Sequence, residues 1–206
     1  MKLKLTETRR QTIAQAIADA ELRTSGQIVT LLLPECDDYP AARWRLAVVI
    51  SLLTAFFLDL GVPALDHFWV LCAQFPALGL GYLLGGLSFF KRLMTTDAEI
   101  EEEFEQRAVQ GFHAHKVDAT ADRTGILIFV SLLERRVKIM ADIGIHSRVP
   151  DGTWSGVIAA LTRQIREDDF TAALVQAIHT CGSLLAQHFP PGENDRDELS
   201  NEVRTD

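Results

Sequence analysis

Two apolar segments in the middle of this 206-residue chain constrain its fold more than any other feature: Leu46 to Val62 and Phe68 to Phe90. The second carries no charged residue, and the first has only Asp59, close to its end. They hold about 17 and about 23 residues, against the ~20 that carry a helix through the hydrocarbon of a bilayer. Hydrocarbon offers backbone amides no hydrogen-bond partner, so a segment that crosses it is helical. The spacing predicts a two-helix transmembrane hairpin, with Trp44 as an interfacial anchor and a short connection containing Pro63, Asp66 and His67. Ala77, Gly81 and Gly85 recur every four residues in the second segment. That stripe allows close backbone approach, first by the other helix of the hairpin and next by a second copy of the chain. A buried soluble hairpin is the competing account.

The flanks set orientation. Arg43 and Arg45 precede the first segment, Lys91 and Arg92 follow the second, and the connection has no Lys or Arg. The excess of basic residues marks the cytoplasmic side, which places both flanks and both termini in the cytoplasm. The N-terminus, MKLKLTETRR, lacks the apolar core of a secretory signal, so the first apolar segment has to act as the insertion signal.

The remaining sequence reads as a soluble α/β domain divided by the hairpin. Residues 6–23 form an amphipathic helix with Ile13, Ala16, Ile17 and Ala20 on one face, capped by Thr6 or Thr8 and stopped near Gly26. Gln27 to Leu33 is a short buried strand closed by Pro34. Asp97 to His115 is a helix with an acidic first turn. Gly125 to Leu132 is a central strand covered on both faces. Arg136 to Ala141 alternates and pairs with it as an antiparallel hairpin. Helices follow over Thr153 to Arg166, capped by Asp151 or Thr153, and over Asp169 to His188. The tail from Pro190 is polar and charged and is expected to be loosely ordered. The expected divisions are 1–42 and 93–189 for the two parts of the domain, 43–92 for the hairpin and 190–206 for the tail.

A formal net charge of −8 argues against nucleic acid as a partner, because phosphate binding needs a basic face. Cys36, Cys72 and Cys181 show no paired spacing, which removes a zinc site or a disulfide scaffold from consideration. Nucleotide-binding P-loops, HExxH, GxSxG and EF-hand loops are absent from the sequence.

The run GILIFVSLLERRVKIMADIGIHSRVPDGTW, followed by IREDDFTAALVQAI and preceded by TETRRQTIAQAIADAELRTSGQIVTLLLPE, resembles the TPM domain family. The hairpin insert, the ADIGIH turn and the HFPPGENDRDEL tail resemble its bacterial membrane-bound branch. The resemblance implies one α/β sandwich, a central sheet with helices on both faces, interrupted by the hairpin. It also implies a multi-pass protein of the bacterial inner membrane. Functions attached to the family include acid phosphatase activity, divalent-cation binding and assistance to other membrane proteins, and fold does not choose among them. The chain departs from the family pattern at Asp142, where a glycine is common, and at Ala172 or Ala173 in the last helix.

The residues themselves point to one candidate site, the turn holding Asp142, His146 and Asp151, with Glu134 and Arg135 at the other end of the strand hairpin. Carboxylates and an imidazole on such a loop suit Ca²⁺ or Mg²⁺, and such a metal could activate water on a phosphate ester. The competing account pairs Asp142 with an arginine, uses Asp151 as a helix cap and leaves His146 on the surface. The leading functional expectation is a membrane-tethered accessory or interaction module for membrane proteins. The alternative is a divalent-metal-dependent phosphatase-like hydrolase.

Overall fold

The computed structural model describes residues 6–62, 64–150, 152–164, 170–192 and 198–205. The described elements run, in order, α1 (Glu7–Glu21), β1 (Gln27–Leu33), α2 (Pro40–Gly61), α3 (His67–Leu84), α4 (Ser88–Met94), α5 (Asp97–Ala114), β2 (Gly125–Ser131), β3 (Arg136–Ala141), α6 (Ile143–His146), α7 (Ser155–Gln164) and α8 (Phe170–His188). They divide into two compact units, one of residues 1–36 and 104–206, the other of residues 37–103. The second unit thus extends past the expected 43–92 on both sides.

The first unit is built on a three-stranded sheet of order β1-β2-β3. β1 runs parallel to β2, with Ile28 opposite Ile126, and β2 runs antiparallel to β3, with Ile128 opposite Ile139. Successive side chains of a strand point to opposite faces, and both faces of this sheet are covered. Ile28, Leu32, Ile126, Ile128, Val137 and Ile139 enter one core with α1, α7 and α8, through residues such as Ile17, Leu161 and Ile178. Val29, Leu31, Leu127 and Phe129 enter the other with Phe104, Ala108 and Phe112 of α5. The layers are therefore helix, sheet, helix, as expected. β2 is buried at every position, as its continuous apolar run predicts for a central strand.

Thr6 caps α1 by accepting from the Arg9 N–H at 3.4 Å. The helix ends at Glu21, not at Gly26; Leu22 closes it and Gly26 lies against Leu185. The tail corrects a larger expectation. Residues 198–205 are not loose: Leu32 N donates to Arg204 O and Arg204 N to Thr30 O, both at 2.9 Å, a bridge along the outer edge of β1. Val203 is buried in the core. The polar composition concealed this because most of the contacts use the tail's backbone, which any sequence supplies.

In the second unit α2 and α3 pack antiparallel. Gly85 meets Arg43, Gly81 meets Ala47, and Ser51 lies 3.4 Å from Gln74. A Cβ on Gly81 would stand 2.6 Å from the Ala47 Cα, and one on Gly85 would stand 2.7 Å from the Arg43 Cα. The small-residue stripe thus faces the first helix of the hairpin, and only glycine permits that approach. The helices hold 22 and 18 residues, about 33 Å and about 27 Å long at 1.5 Å per residue. The second apolar segment does not run unbroken to Phe90. It ends at Leu84, Leu87 is extended, and α4 begins at Ser88. Two consecutive glycines, Gly85 and Gly86, weaken the helix there, while Pro76 is accommodated inside α3. Arg45 donates to both Glu99 oxygens, at 2.6 and 2.7 Å, and to Met94 O at 2.9 Å, which ties α2 to the start of α5.

Candidate functional site

The ADIGIH turn that sequence singles out sits where β3 leaves the sheet. The register places Ile126 opposite Ala141, so the residues entering β2 lie beside those leaving β3. Arg123 and Asp142 meet there. Arg123 Nε donates to Asp142 Oδ2 at 2.6 Å and its Nη2 donates to Oδ1 at 2.9 Å. Asp142 Oδ1 also accepts from the Ile143 N–H at 2.7 Å, capping α6. Asp142 is 4% exposed and the Arg123 side chain 51%. The hydrogen bond that Arg123 donates to the Asp142 carboxylate raises the guanidinium further above its already high range.

The backbone is shaped to hold this clasp. Arg123 adopts a left-handed φ of 57°, and Gly144 N donates to Arg123 O at 3.0 Å. A Cβ on Gly144 would fall 2.5 Å from both the Asp122 and Arg123 carbonyl oxygens. That close approach explains why glycine stands in the turn.

At the opposite end of the strand hairpin Glu134 is buried. Its Oε1 accepts from the Cys36 N–H at 2.9 Å and its Oε2 from the Ser131 hydroxyl. It pins the chain leaving β1 to the β2–β3 turn, where Arg135 takes a φ of 53°. His113 Nδ1 pairs with Asp118 at 2.7 Å, and that contact holds the Asp118 carboxyl below its usual range.

The structure describes two of the three candidate metal ligands. Asp142 is inside the clasp, His146 is exposed on α6, and Asp151 lies outside the described residues. Among the described residues no three His, Cys, Asp or Glu side chains gather within metal-holding reach. A cation at Asp142 would have to share the carboxylate with a guanidinium and an amide that already donate to both oxygens. Arg123, absent from the sequence-derived candidates, is the partner that matters. It lies 19 residues from Asp142, and only strand register brings the two together.

Residues 92–184, from α4 into α8, match the family model of the TPM domain. Over that stretch the chain is similar to a TPM domain. The matched stretch spans Arg123, Glu134, Asp142 and Gly144. The NMR structure of BA42 protein from the psychrophilic bacterium Bizionia argentinensis is similar in fold, with a TM-score of 0.63 and 23% identity. That similarity covers 100% of this chain and 98% of the BA42 chain. No curated protein matches the chain in sequence.

Proposed function

We propose that the chain is a TPM domain tethered to the bacterial inner membrane by the α2–α3 hairpin, serving as an accessory or interaction module for other membrane proteins. The observation that carries the tethering is outward apolarity. Both helices are long and apolar enough to cross a bilayer, yet only 17% and 11% of their most apolar windows are buried. A core helix of a soluble protein hides such a surface. Here Leu52, Phe56, Phe57, Leu60, Phe75 and Leu83 are each more than half exposed, a patch that water does not tolerate without a cover.

Aromatic side chains support the reading. Phe56–Phe57 and Phe68–Trp69 stand near the connection, while Trp44–Tyr82 and Phe89–Phe90 stand near the basic flanks. Rings at both ends of an apolar span fit the two interfaces of a bilayer. The basic residues Arg43, Arg45, Lys91 and Arg92 support a cytoplasmic flank end, and with it a cytoplasmic soluble domain.

The hydrolase alternative asks Asp142, His146 and Asp151 to share Ca²⁺ or Mg²⁺. The engaged oxygens of Asp142 weigh toward the module. Thermal unfolding with each metal separates the two, since a ligand of the folded state raises the midpoint. No shift at millimolar metal and no phosphate-ester turnover supports the module; a saturable shift lost in Asp142→Asn supports the hydrolase. Tethering is tested by alkaline carbonate washing of membranes. Orientation is tested by impermeant maleimide on Ala64→Cys and Thr205→Cys variants with Cys36 and Cys72 replaced by serine. The expected result is retention in the pellet and labelling of position 64 alone from outside. Release into the aqueous fraction would end the proposal.

A further inference from the structure

We infer that the outer edge of β1 is a strand-accepting site for an extended segment of a partner protein, and that the chain's own C-terminal residues are its resident, displaceable occupant. An exposed strand edge offers unpaired amides and carbonyls, a ready template for another strand. At this edge the occupant is held mainly by its backbone. Arg204 supplies the two ladder bonds to Thr30 O and Leu32 N. Gln27 Oε1 accepts from the N–H groups of Glu198 and Leu199, at 2.9 and 3.2 Å. Arg10 Nη1 donates to Val203 O at 3.5 Å and its Nη2 to the Thr205 hydroxyl at 3.0 Å.

Three side chains give the site its selectivity. Val203 enters the core shared with α1 and α8, and Leu199 packs on the opposite core beside α5. The Glu198 carboxylate accepts from Ala121 N at 2.8 Å. The site therefore fits an acidic residue, an aliphatic residue directly after it, and a second aliphatic residue four positions on. Two ladder bonds, five further hydrogen bonds and two aliphatic side chains hold a segment of only eight residues, and its covalent attachment adds to that hold. Attachment supplies an effective concentration in the millimolar range. A partner segment with better-matched side chains can then replace the tail.

This deepens the reading as an interaction module by naming where a partner docks, and rests on it only for the partner's existence. Peptide binding and membrane retention are read separately, so either can fail alone. The probe is a fluorescein-labelled peptide of residues 198–206, ELSNEVRTD, read by anisotropy against the detergent-solubilised chain. Three proteins are compared: the intact chain, one ending at Gly192, and the full-length Val203→Asp variant, whose tail is released without deletion. The shortened chain and Val203→Asp should bind the peptide, the intact chain at least about tenfold more weakly. A peptide carrying Val203→Asp should lose binding. No binding to either altered chain while it melts cooperatively would overturn the inference, as would equal binding to all three. Failure of both altered chains to fold would also overturn it, making the tail an integral strand. A Val203-dependent dimer of the intact chain would do the same, assigning the edge to self-assembly.

Discussion

Removing the Asp142 carboxylate should destabilise the TPM domain by an amount set by two separable contributions. The first is the fork to Arg123. Hydrogen bonds to charged groups contribute ~1.5–3 kcal/mol when well buried, while exposed ion pairs contribute ~0.2–1 kcal/mol. Asp142 is buried but the Arg123 side chain is 51% exposed, so solvent screening leaves about 1 kcal/mol. The second is the bond to the Ile143 N–H at the start of α6, about 1 kcal/mol for a capping residue. Asp142→Ala loses both, about 2 kcal/mol. Asp142→Asn keeps an acceptor for Ile143 but turns an NH₂ toward a guanidinium donor, losing about 1 kcal/mol. At ~2–4 °C per kcal/mol for a chain of this size, melting should fall by about 4–8 °C and about 2–4 °C respectively. Thermal unfolding in mild detergent, followed by tryptophan fluorescence, reads the difference. Arg123 adds an internal control. Its left-handed backbone strains a side-chain-bearing residue, so Arg123→Gly should exceed Arg123→Ala in stability by ~0.5–1 kcal/mol after the unfolded-state entropy of glycine is subtracted. Equal shifts within about 1 °C for Asp142→Ala and Asp142→Asn would refute the separation into clasp and cap.

Gly81→Val should disrupt the hairpin by ~1–3 kcal/mol or more, because its side chain meets the Ala47 backbone. Gly79→Ala, which faces open space inside α3, should not lower the melting temperature and should raise it slightly, since alanine favours a helix interior over glycine; comparison of the two reads packing and not composition. Burial pushes the Cys181 thiol up to about 12, so thiol reagents at pH 8 should leave it unmodified in the native protein and label it only as the fold opens, as mass spectrometry along a denaturant series would show. The Arg45 hydrogen bond, with the Thr96 N–H, holds the Glu99 carboxyl at about 2, below its ordinary 4.5. Because the folded value is the lower one, this contribution is complete above pH 4.5, declines as pH falls toward 2 and is gone below it. Glu99→Gln should flatten acid unfolding in that window, with a small amplitude because the pair is partly exposed.

What sequence alone determines here is local. Periodicity marks α1, α5 and α8, continuous β-branched runs mark β1 and β2, and alternation marks β3, because burial of one face or two leaves a direct imprint on residue spacing. The two apolar runs likewise mark helices long enough to cross a bilayer, since length and charge decide that without reference to the rest of the chain. The tertiary structure decides which elements meet. The parallel pairing of β1 with β2, the contact of Gly81 with Ala47, the clasp of Arg123 with Asp142 and the return of Arg204 to the β1 edge all join residues distant in sequence. Such contacts leave little periodic trace, because a backbone amide or a single charged pair stabilises its partner from any position that folding brings within reach. The tail shows this most sharply: its polarity reads as solvation, while its backbone, common to every sequence, bridges to the edge of β1.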